Sequence, residues 1–209
     1  YILDYMWMFS KCIEILFPSR CFVCRKKYGT AVCSTCLQSK RRAISTPAPW
    51  IHSHFAYHDI RHLVHAIKYY RRKDLVDPLV KATLTQDLHN QLQGLRDPIL
   101  VPIPTPTLRR LSRGYNQAEV IAKTYANHLS LPYLLVLRRK NSTRKVKLAS
   151  RYKRLHASTT MYISQKEAVA GKNIILIDDV TTTGATLFEA HKILKQAGAQ
   201  TVRAITLAH

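Results

Sequence analysis

Ile174-Ile175-Leu176-Ile177-Asp178-Asp179-Val180-Thr181-Thr182-Thr183-Gly184-Ala185-Thr186 is the stretch on which the fold turns. Its apolar run predicts a buried strand over Asn173 to Ile177, because a strand covered on both faces is apolar throughout rather than at alternate positions. Two adjacent carboxylates emerge at the carboxyl end of that strand, and a Thr-Thr-Gly-Ala-Thr turn then opens a helix over Ala185 to Gln196. The N–H groups from Thr182 to Thr186 and the hydroxyls of Thr182, Thr183 and Thr186 can wrap a phosphate at the helix N-terminus, where the dipole favours an anion. Gly184 lets the backbone approach that anion closely. Asp178 and Asp179 then stand one ribose away and can accept hydrogen bonds from its hydroxyls, directly or through Mg²⁺. The plain alternative is a pair of solvated loop acids beside a Thr cap. Against it, Glu167 is the only other carboxylate between Val120 and Ile177.

On the C-terminal side Gly198 closes the helix, and Thr201 to Leu207 reads as a last strand. Upstream, Ile99 to Ile103 is a short apolar run, with Pro102 placing it near a strand end or edge. Ala118 to Leu129 is a predicted helix, Tyr133 to Leu137 a strand, and Thr160 to Ile163 another short one. Ile60 to Tyr70 reads as a helix with Leu63, Val64 and Ile67 on one face, and Leu75 to Leu92 as a second. Alternation of strands and helices over residues 99–207 implies an α/β fold: a mainly parallel, twisted sheet flanked by helices. Ligands of such sheets bind beyond the carboxyl ends of the strands.

The 209 residues suffice for one ordinary domain plus a small module, and exclude a fibrous repeat or a wholly disordered chain. Lys and Arg number 33 against 12 Asp and Glu, a formal charge of +21 that points to an anionic partner such as nucleic acid or phosphate. A stable membrane span is not expected, since the most apolar segment, Tyr1 to Phe17, is interrupted by Asp4, Ser10, Lys11 and Glu14. Ile2, Tyr5, Met6, Phe9, Ile13, Leu16 and Phe17 recur there at helical spacing, so the segment reads as an amphipathic helix packed on the fold; an interfacial membrane helix is the alternative. It carries no basic n-region and no small-residue cleavage site, so a signal peptide is not expected.

Four of five cysteines form C-x2-C-x8-C-x2-C: Cys21, Cys24, Cys33 and Cys36. Each pair can turn two thiolates toward one point, and four thiolates complete a tetrahedral, structural Zn²⁺ site. Two disulfides are the competing arrangement, but an odd fifth cysteine, Cys12, and no export signal suggest a cytosolic chain with reduced thiols. So short a window builds no core of its own, so metal would supply much of its folding free energy. The run Ser45 to Pro49 breaks regular structure, giving an expected division into a helix and zinc module at 1–45 and an α/β domain at 46–209. His52, His54, His58, His62 and His65 share no facing pattern and are assigned no metal.

Single-strand binding needs Lys and Arg along a backbone groove and aromatic faces for stacking. Tyr69, Tyr70, Tyr115 and Tyr152 lie beside such cations. The candidate nucleic-acid contacts are Lys68, Arg71, Arg72, Arg109, Arg110, Arg113, Lys145, Lys147, Arg151, Lys153 and Arg154, the last five from the carboxylate-free stretch Arg138 to His156. A uniformly solvated basic surface is the alternative.

The stretch from Ile174 to Thr186 resembles the phosphoribosyl pyrophosphate (PRPP) motif of type I phosphoribosyltransferases. Arg113-Gly114-Tyr115-Asn116-Gln117 resembles the RGFNQ-type signature of the ComF family of competence proteins. The four-cysteine module after Phe17-Pro18-Ser19-Arg20 and the segment Ala66-Ile67-Lys68-Tyr69 extend that likeness over nearly the whole chain. The resemblance implies a type I phosphoribosyltransferase fold, a structural zinc, and a cytoplasmic protein, peripheral at most to the inner membrane, that handles incoming single-stranded DNA during natural transformation. It implies further that Asp178 and Asp179, as the catalytic pair, and Thr181, Thr182, Thr183, Gly184, Ala185 and Thr186 hold ribose 5-phosphate with Mg²⁺. Arg113 and Lys68 would hold pyrophosphate or a nucleic-acid backbone, and DNA-uptake proteins such as a helicase would be partners. An active transferase acting on a nucleobase or amine is the alternative. Lys145 and Arg154-Leu155-His156-Ala157 stand where the family often has Gln and Arg-x-x-Asn, which puts loop-based chemistry in doubt.

Overall fold

The computed structural model describes residues 19–139 and 160–209. Strands β1 (Ile51–Phe55), β2 (Ile99–Pro102), β5 (Asn173–Val180) and β6 (Thr201–Ala208) form a parallel sheet in the order β1-β6-β5-β2. Between β2 and β5 in the chain, β3 (Leu137–Arg139) and β4 (Met161–Ile163) make a separate antiparallel ribbon.

The central strand explains the layering. Ile175 and Ile177 face one core, with Phe55, Leu100, Ile205 and Leu207, while Ile174 and Leu176 face the other, with Val101, Val202 and Ala204. All four of these β5 side chains are fully buried, each stabilising the fold by roughly 1.5–3 kcal/mol. Helices α2 (Tyr57–Tyr69), α3 (Val76–Thr83) and α6 (Gln117–Leu129) cover the first face through Leu63, Leu79, Ile121 and Tyr125. Helix α7 (Ala185–Gln196) covers the second through Leu187, Ala190 and Leu194. The strand runs past its apolar stretch, so that Asp178 pairs with Thr206 and Val180 with Ala208. β2 stops at Pro102 opposite Ile177, and the two carboxylates begin where that edge neighbour ends.

The structure departs from the sequence reading in four places. The expected helix Leu75 to Leu92 is divided: a 3₁₀ turn at Lys73–Leu75 precedes α3, and Leu84 leaves helical geometry before α4 (Gln86–Leu92), whose Thr85 cap accepts from Leu88 N. Thr83, the last residue of α3, bonds instead to Tyr125 Oη at 2.5 Å, which fixes the break against α6. Tyr133 makes only an isolated parallel bridge to Leu100, and the strand lies at Leu137–Arg139, outside the main sheet. β1 was not foreseen, because Ile51-His52-Ser53-His54-Phe55 is polar in pattern; its pairing with β6 buries it regardless. Helix α5 (Thr107–Arg113), with no buried residue, was not foreseen either.

The cysteine segment includes the short helix α1 (Ser34–Gln38). Val32 and Leu37 join the same core as Phe55 and Leu79. The chain leaving it runs beside β1, with Ala43 N donating to His54 O and Ala56 N to Arg41 O, both at 2.9 Å. Among the described residues, no helix is long and apolar enough to cross a membrane. The amphipathic stretch Tyr1 to Phe17, Cys12 and the basic run 140–156 lie outside the described residues.

Candidate functional site

At the carboxyl end of β5 a cavity of about 210 Å³ opens between Lys68, the segment Ile103 to Pro106, Arg109, Arg113, Asn116, Gln117, Arg139, Asp178, Asp179 and Thr186. Four cations thus face two carboxylates. Lys68 Nζ lies 2.5 Å from Asp179 Oδ2, an ion contact that partly neutralises the inner carboxylate. Asp178 lines the same cavity. Burial, and then the adjacent charge of Asp179, push its carboxyl well above the ordinary range. The pair can accept from ribose hydroxyls, and two hard oxygen donors suit Mg²⁺, which is commonly held by one or two carboxylates together with substrate phosphates.

The turn after β5 divides the predicted phosphate residues by task. Thr181 is buried and tied to the sheet, its N–H donating to Ala208 O at 3.0 Å and its carbonyl facing His209 Nδ1 at 3.2 Å. Thr182, Thr183 and Ala185 are exposed, Thr183 Oγ1 accepting from Ala185 N at 3.4 Å, and Thr186 lines the cavity. Gly184 has φ +74°, and a Cβ there would stand 2.9 Å from the Phe188 ring and 3.0 Å from Pro47 Cβ. Only glycine fits that close approach. The N–H groups of Thr186 and Leu187, in the first turn of α7, have no intrahelical acceptor and are available to an anion.

Each residue of Arg113-Gly114-Tyr115-Asn116-Gln117 has a separate structural task. Gly114, at φ +80°, ends α5 in left-handed geometry. Tyr115 Oη donates to Ile67 O, which fixes the end of α2 that carries Lys68. Asn116 caps α6, accepting from Ala118 N at 3.1 Å and from Thr105 Oγ1 at 2.8 Å, while its Nδ2 donates to Ile103 O at 3.0 Å. Gln117 Oε1 accepts from Arg113 Nη1 at 3.1 Å, and the guanidinium also lies over the Tyr69 ring at 5.1 Å. Gln117 is 3% exposed and its Nε2 has no hydrogen-bond partner among the described residues, a buried donor on the cavity wall.

The other predicted cations are scattered. Arg109 lines the cavity, Arg110 a neighbouring one, and Arg71 approaches Gly114. Arg72 is committed to Asp74, through bonds of 2.8 and 2.6 Å. Lys145, Lys147, Arg151, Lys153 and Arg154, with Tyr152, lie outside the described residues. Arg139 was missed as a site residue. Its Nε donates to Pro104 O at 2.8 Å and its Nη1 to Thr160 Oγ1 at 3.2 Å, which turns the guanidinium toward both cavities. Its membership of the basic run hid it, and no sequence signal marks its pairing with Met161.

The four cysteine sulfurs all lie within 4.8 Å of one another, with Cys24 and Cys33 Sγ 3.9 Å apart. Four thiolates about 2.3 Å from one ion stand about 3.8 Å from each other, so the cluster fits tetrahedral zinc. A tight turn and a helix start build it: Arg25 N donates to Cys21 O and Cys21 N to Lys26 O, both at 2.9 Å, with Arg25 at φ +62°, while Cys33 is the N-cap of α1, whose Leu37 N donates to Cys33 O at 3.2 Å. Cys33 N donates to Cys21 Sγ at 3.4 Å. Burial favours the neutral Cys21 thiol, but the N–H groups of Cys24, Cys33 and Val23 outweigh it and pull the thiol down to about 6. Burial and the sulfurs of Cys33, Cys24 and Cys21 push the Cys36 thiol up to about 12.

Residues 115–209 match the phosphoribosyl transferase domain family, which sets the class of the α/β unit. The chain is 23% identical to the DNA utilization protein YhgH of Escherichia coli O157:H7 over 89% of this chain and 95% of that one. It is 36% identical to competence protein ComFC of Bacillus subtilis (strain 168) over 52% of this chain, spanning 43% of that relative. A solved glutamine PRPP amidotransferase from B. subtilis is 19% identical over 68% of this chain and 30% of its own, with a TM-score of 0.46. In sequence the chain is thus similar to DNA-utilization and competence proteins, and its residues 115–209 carry a phosphoribosyl transferase domain.

Proposed function

We propose that the protein handles single-stranded DNA in a competence or DNA-utilisation process, on a phosphoribosyltransferase-like scaffold whose cavity binds a phosphoribosyl group. The observation that carries this is the set of four cations, two carboxylates and a helix N-terminus converging on one cavity at the end of β5. Thr182, Thr183, Gly184 and Thr186 would hold the 5-phosphate, Asp178 and Asp179 the ribose hydroxyls with Mg²⁺, and Lys68 and Arg113 a pyrophosphate or phosphodiester. Arg71, Arg109 and Arg110, with the exposed rings of Tyr69 and Tyr70, would continue the anionic path outward. Zinc at Cys21, Cys24, Cys33 and Cys36 would hold the N-terminal module, proposed to extend to residue 45, in a reducing cytoplasmic setting. The names of the relatives and the charge of +21 support the same reading.

A second reading, a phosphoribosyltransferase acting on a nucleobase or amine, is favoured by Asp178 on the cavity wall, where burial and the charge of Asp179 raise its carboxyl above the ordinary range, the direction a general acid or base requires. A labelled single-stranded oligonucleotide titrated with zinc-loaded protein across salt, with and without Mg²⁺ and PRPP and against duplex competitor, separates the two. Single-strand preference that changes with PRPP supports the first. Binding indifferent to strandedness and to PRPP, together with base-dependent pyrophosphate release, replaces it with the second.

A further inference from the structure

Beside the phosphate cavity lies a second one of about 270 Å³. The two share Pro104, Thr105, Asn116 and Arg139 as a common wall. Their chemistry differs: beyond that wall the first cavity is lined mainly by charged and amide side chains, whereas the second adds Pro102, Leu135, Leu137 and Tyr162 together with Thr107, Arg110, Arg138 and one carboxylate, Glu119, which is paired with Lys123. Its volume is below the range of about 300–1,000 Å³ common for drug-sized ligands and suits one ring system.

The ribbon of β3 and β4 explains how an aromatic face and a cation meet there. Arg138 and Tyr162 are cross-strand partners, and alternation puts both on the outward side of the ribbon while Leu137 and Met161 face the core. Tyr162 is 45% exposed and Leu135 38%, large apolar surfaces left open at a cavity mouth. Arg139 is held at Pro104 O and Thr160 Oγ1, with Glu189 and Asp178 as its acidic neighbours but neither in ion-pair contact among the described residues, and it presents its charge to the wall between the cavities. A half-buried guanidinium that no carboxylate directly binds can still take a phosphate oxygen.

We propose that the second cavity is a nucleobase subsite for the 5′-phosphorylated end of a DNA single strand. The terminal 5′-phosphate occupies the first cavity at the start of α7; its deoxyribose, with no 2′-hydroxyl and an esterified 3′-oxygen, would meet Asp178 and Asp179 only through Mg²⁺, Arg139 meets the following phosphodiester, and the next base packs against Tyr162 and Leu135, with Arg110 and Arg138 toward the outgoing backbone. This rests on the phosphoribosyl reading of the first cavity and adds the substrate class: a strand end rather than a free sugar phosphate. No bond is made or broken.

The test uses the full zinc-loaded chain and three probes: deoxyribose 5-phosphate, a 5′-phosphorylated dinucleotide, and the same dinucleotide with a 5′-hydroxyl. Stacking of one base predicts that the phosphorylated dinucleotide binds roughly tenfold more tightly than the sugar phosphate, and that PRPP displaces both. Tyr162→Ala removes that tenfold gain and leaves sugar phosphate affinity unchanged, while Tyr162→Phe keeps the gain; thermal denaturation of each variant establishes that it folds. An equal gain in Tyr162→Ala, or no preference for the 5′-phosphate, overturns the subsite alone. Failure of PRPP to displace the sugar phosphate overturns the first cavity's reading, and the subsite with it.

Discussion

Cys21, Cys24, Cys33 and Cys36 come from one short window, whereas the residues of the phosphate cavity come from α2, the β2–α5 connection, α5, the start of α6, β3, the end of β5 and the start of α7. The cysteine window brings its ligands together by one tight turn and the start of α1, and it lays Val32 and Leu37, with Phe22, Val23 and Ala31 beside them, against the shared core. The cavity has the whole sheet beneath it and spends part of that stability holding like charges close together. A bound ion would therefore complete the first region, whereas the second carries a folding cost to keep a ligand site. Perturbing each should produce opposite signs.

The largest expected effect is at the cysteines. Structural zinc contributes about 10–16 kcal/mol of apparent binding free energy in small zinc modules, so chelation or Cys33→Ala should unfold the window. Amide hydrogen exchange would read it: segment 19–39 loses protection while β5 keeps it. Uniform loss across β5 would break the comparison, since it would make Val32 and Leu37 an indispensable part of the core they share with Phe55 and Leu79.

Gly184→Ala comes next. The left-handed backbone at φ +74° alone costs about 1–2 kcal/mol for a residue with a Cβ. The new methyl also meets Phe188 at 2.9 Å and Pro47 at 3.0 Å, so the helix start must shift. Urea denaturation should give a loss of about 2 kcal/mol, and sugar phosphate binding should weaken at least tenfold. Gly184→Ala combined with Phe188→Ala should recover part of the stability but not the binding. A fully stable single variant would sink the close-approach argument.

These two sites were legible in the sequence for the same reason: spacing within a short window fixes them. C-x2-C turns and the Asp-Asp-x-Thr-Thr-Thr-Gly turn need no distant partner to be recognised. Gln117 and Arg139 were not legible as site residues. Gln117 acquires its role by gripping Arg113, one helical turn back across the start of α6, and Arg139 by the pairing of β3 with β4 across residues absent from the described structure. β1 escaped because Ser53 and two histidines imitate a polar surface; burial against β6 overrode that pattern, and Ser53 met Thr206 at 2.6 Å. The division of Leu75 to Leu92 escaped because the Thr83–Tyr125 bond that enforces it links different helices.

The smallest effect is the most informative about sign. Asp178 is held protonated to higher pH than a free carboxyl, first by burial and then by Asp179, with Lys68 offsetting only part of this. In the unfolded chain it ionises near pH 3.9. Between that pH and its raised folded value the folded state binds more protons than the unfolded one, so stability falls as pH rises across the window and the full penalty stands above it. Asp178→Asn removes the penalty and keeps the shape, so it should raise stability above the window by about 1 kcal/mol, or about 2–4 °C in Tm, and flatten the pH dependence. The same substitution should abolish Mg²⁺-dependent PRPP binding, because a carboxamide cannot replace a carboxylate toward a hard cation. A variant less stable than the parent at pH 7 would mean that Asp178 is stabilising the fold through its charge, and that the cavity, like the cysteine window, holds together only through what it binds.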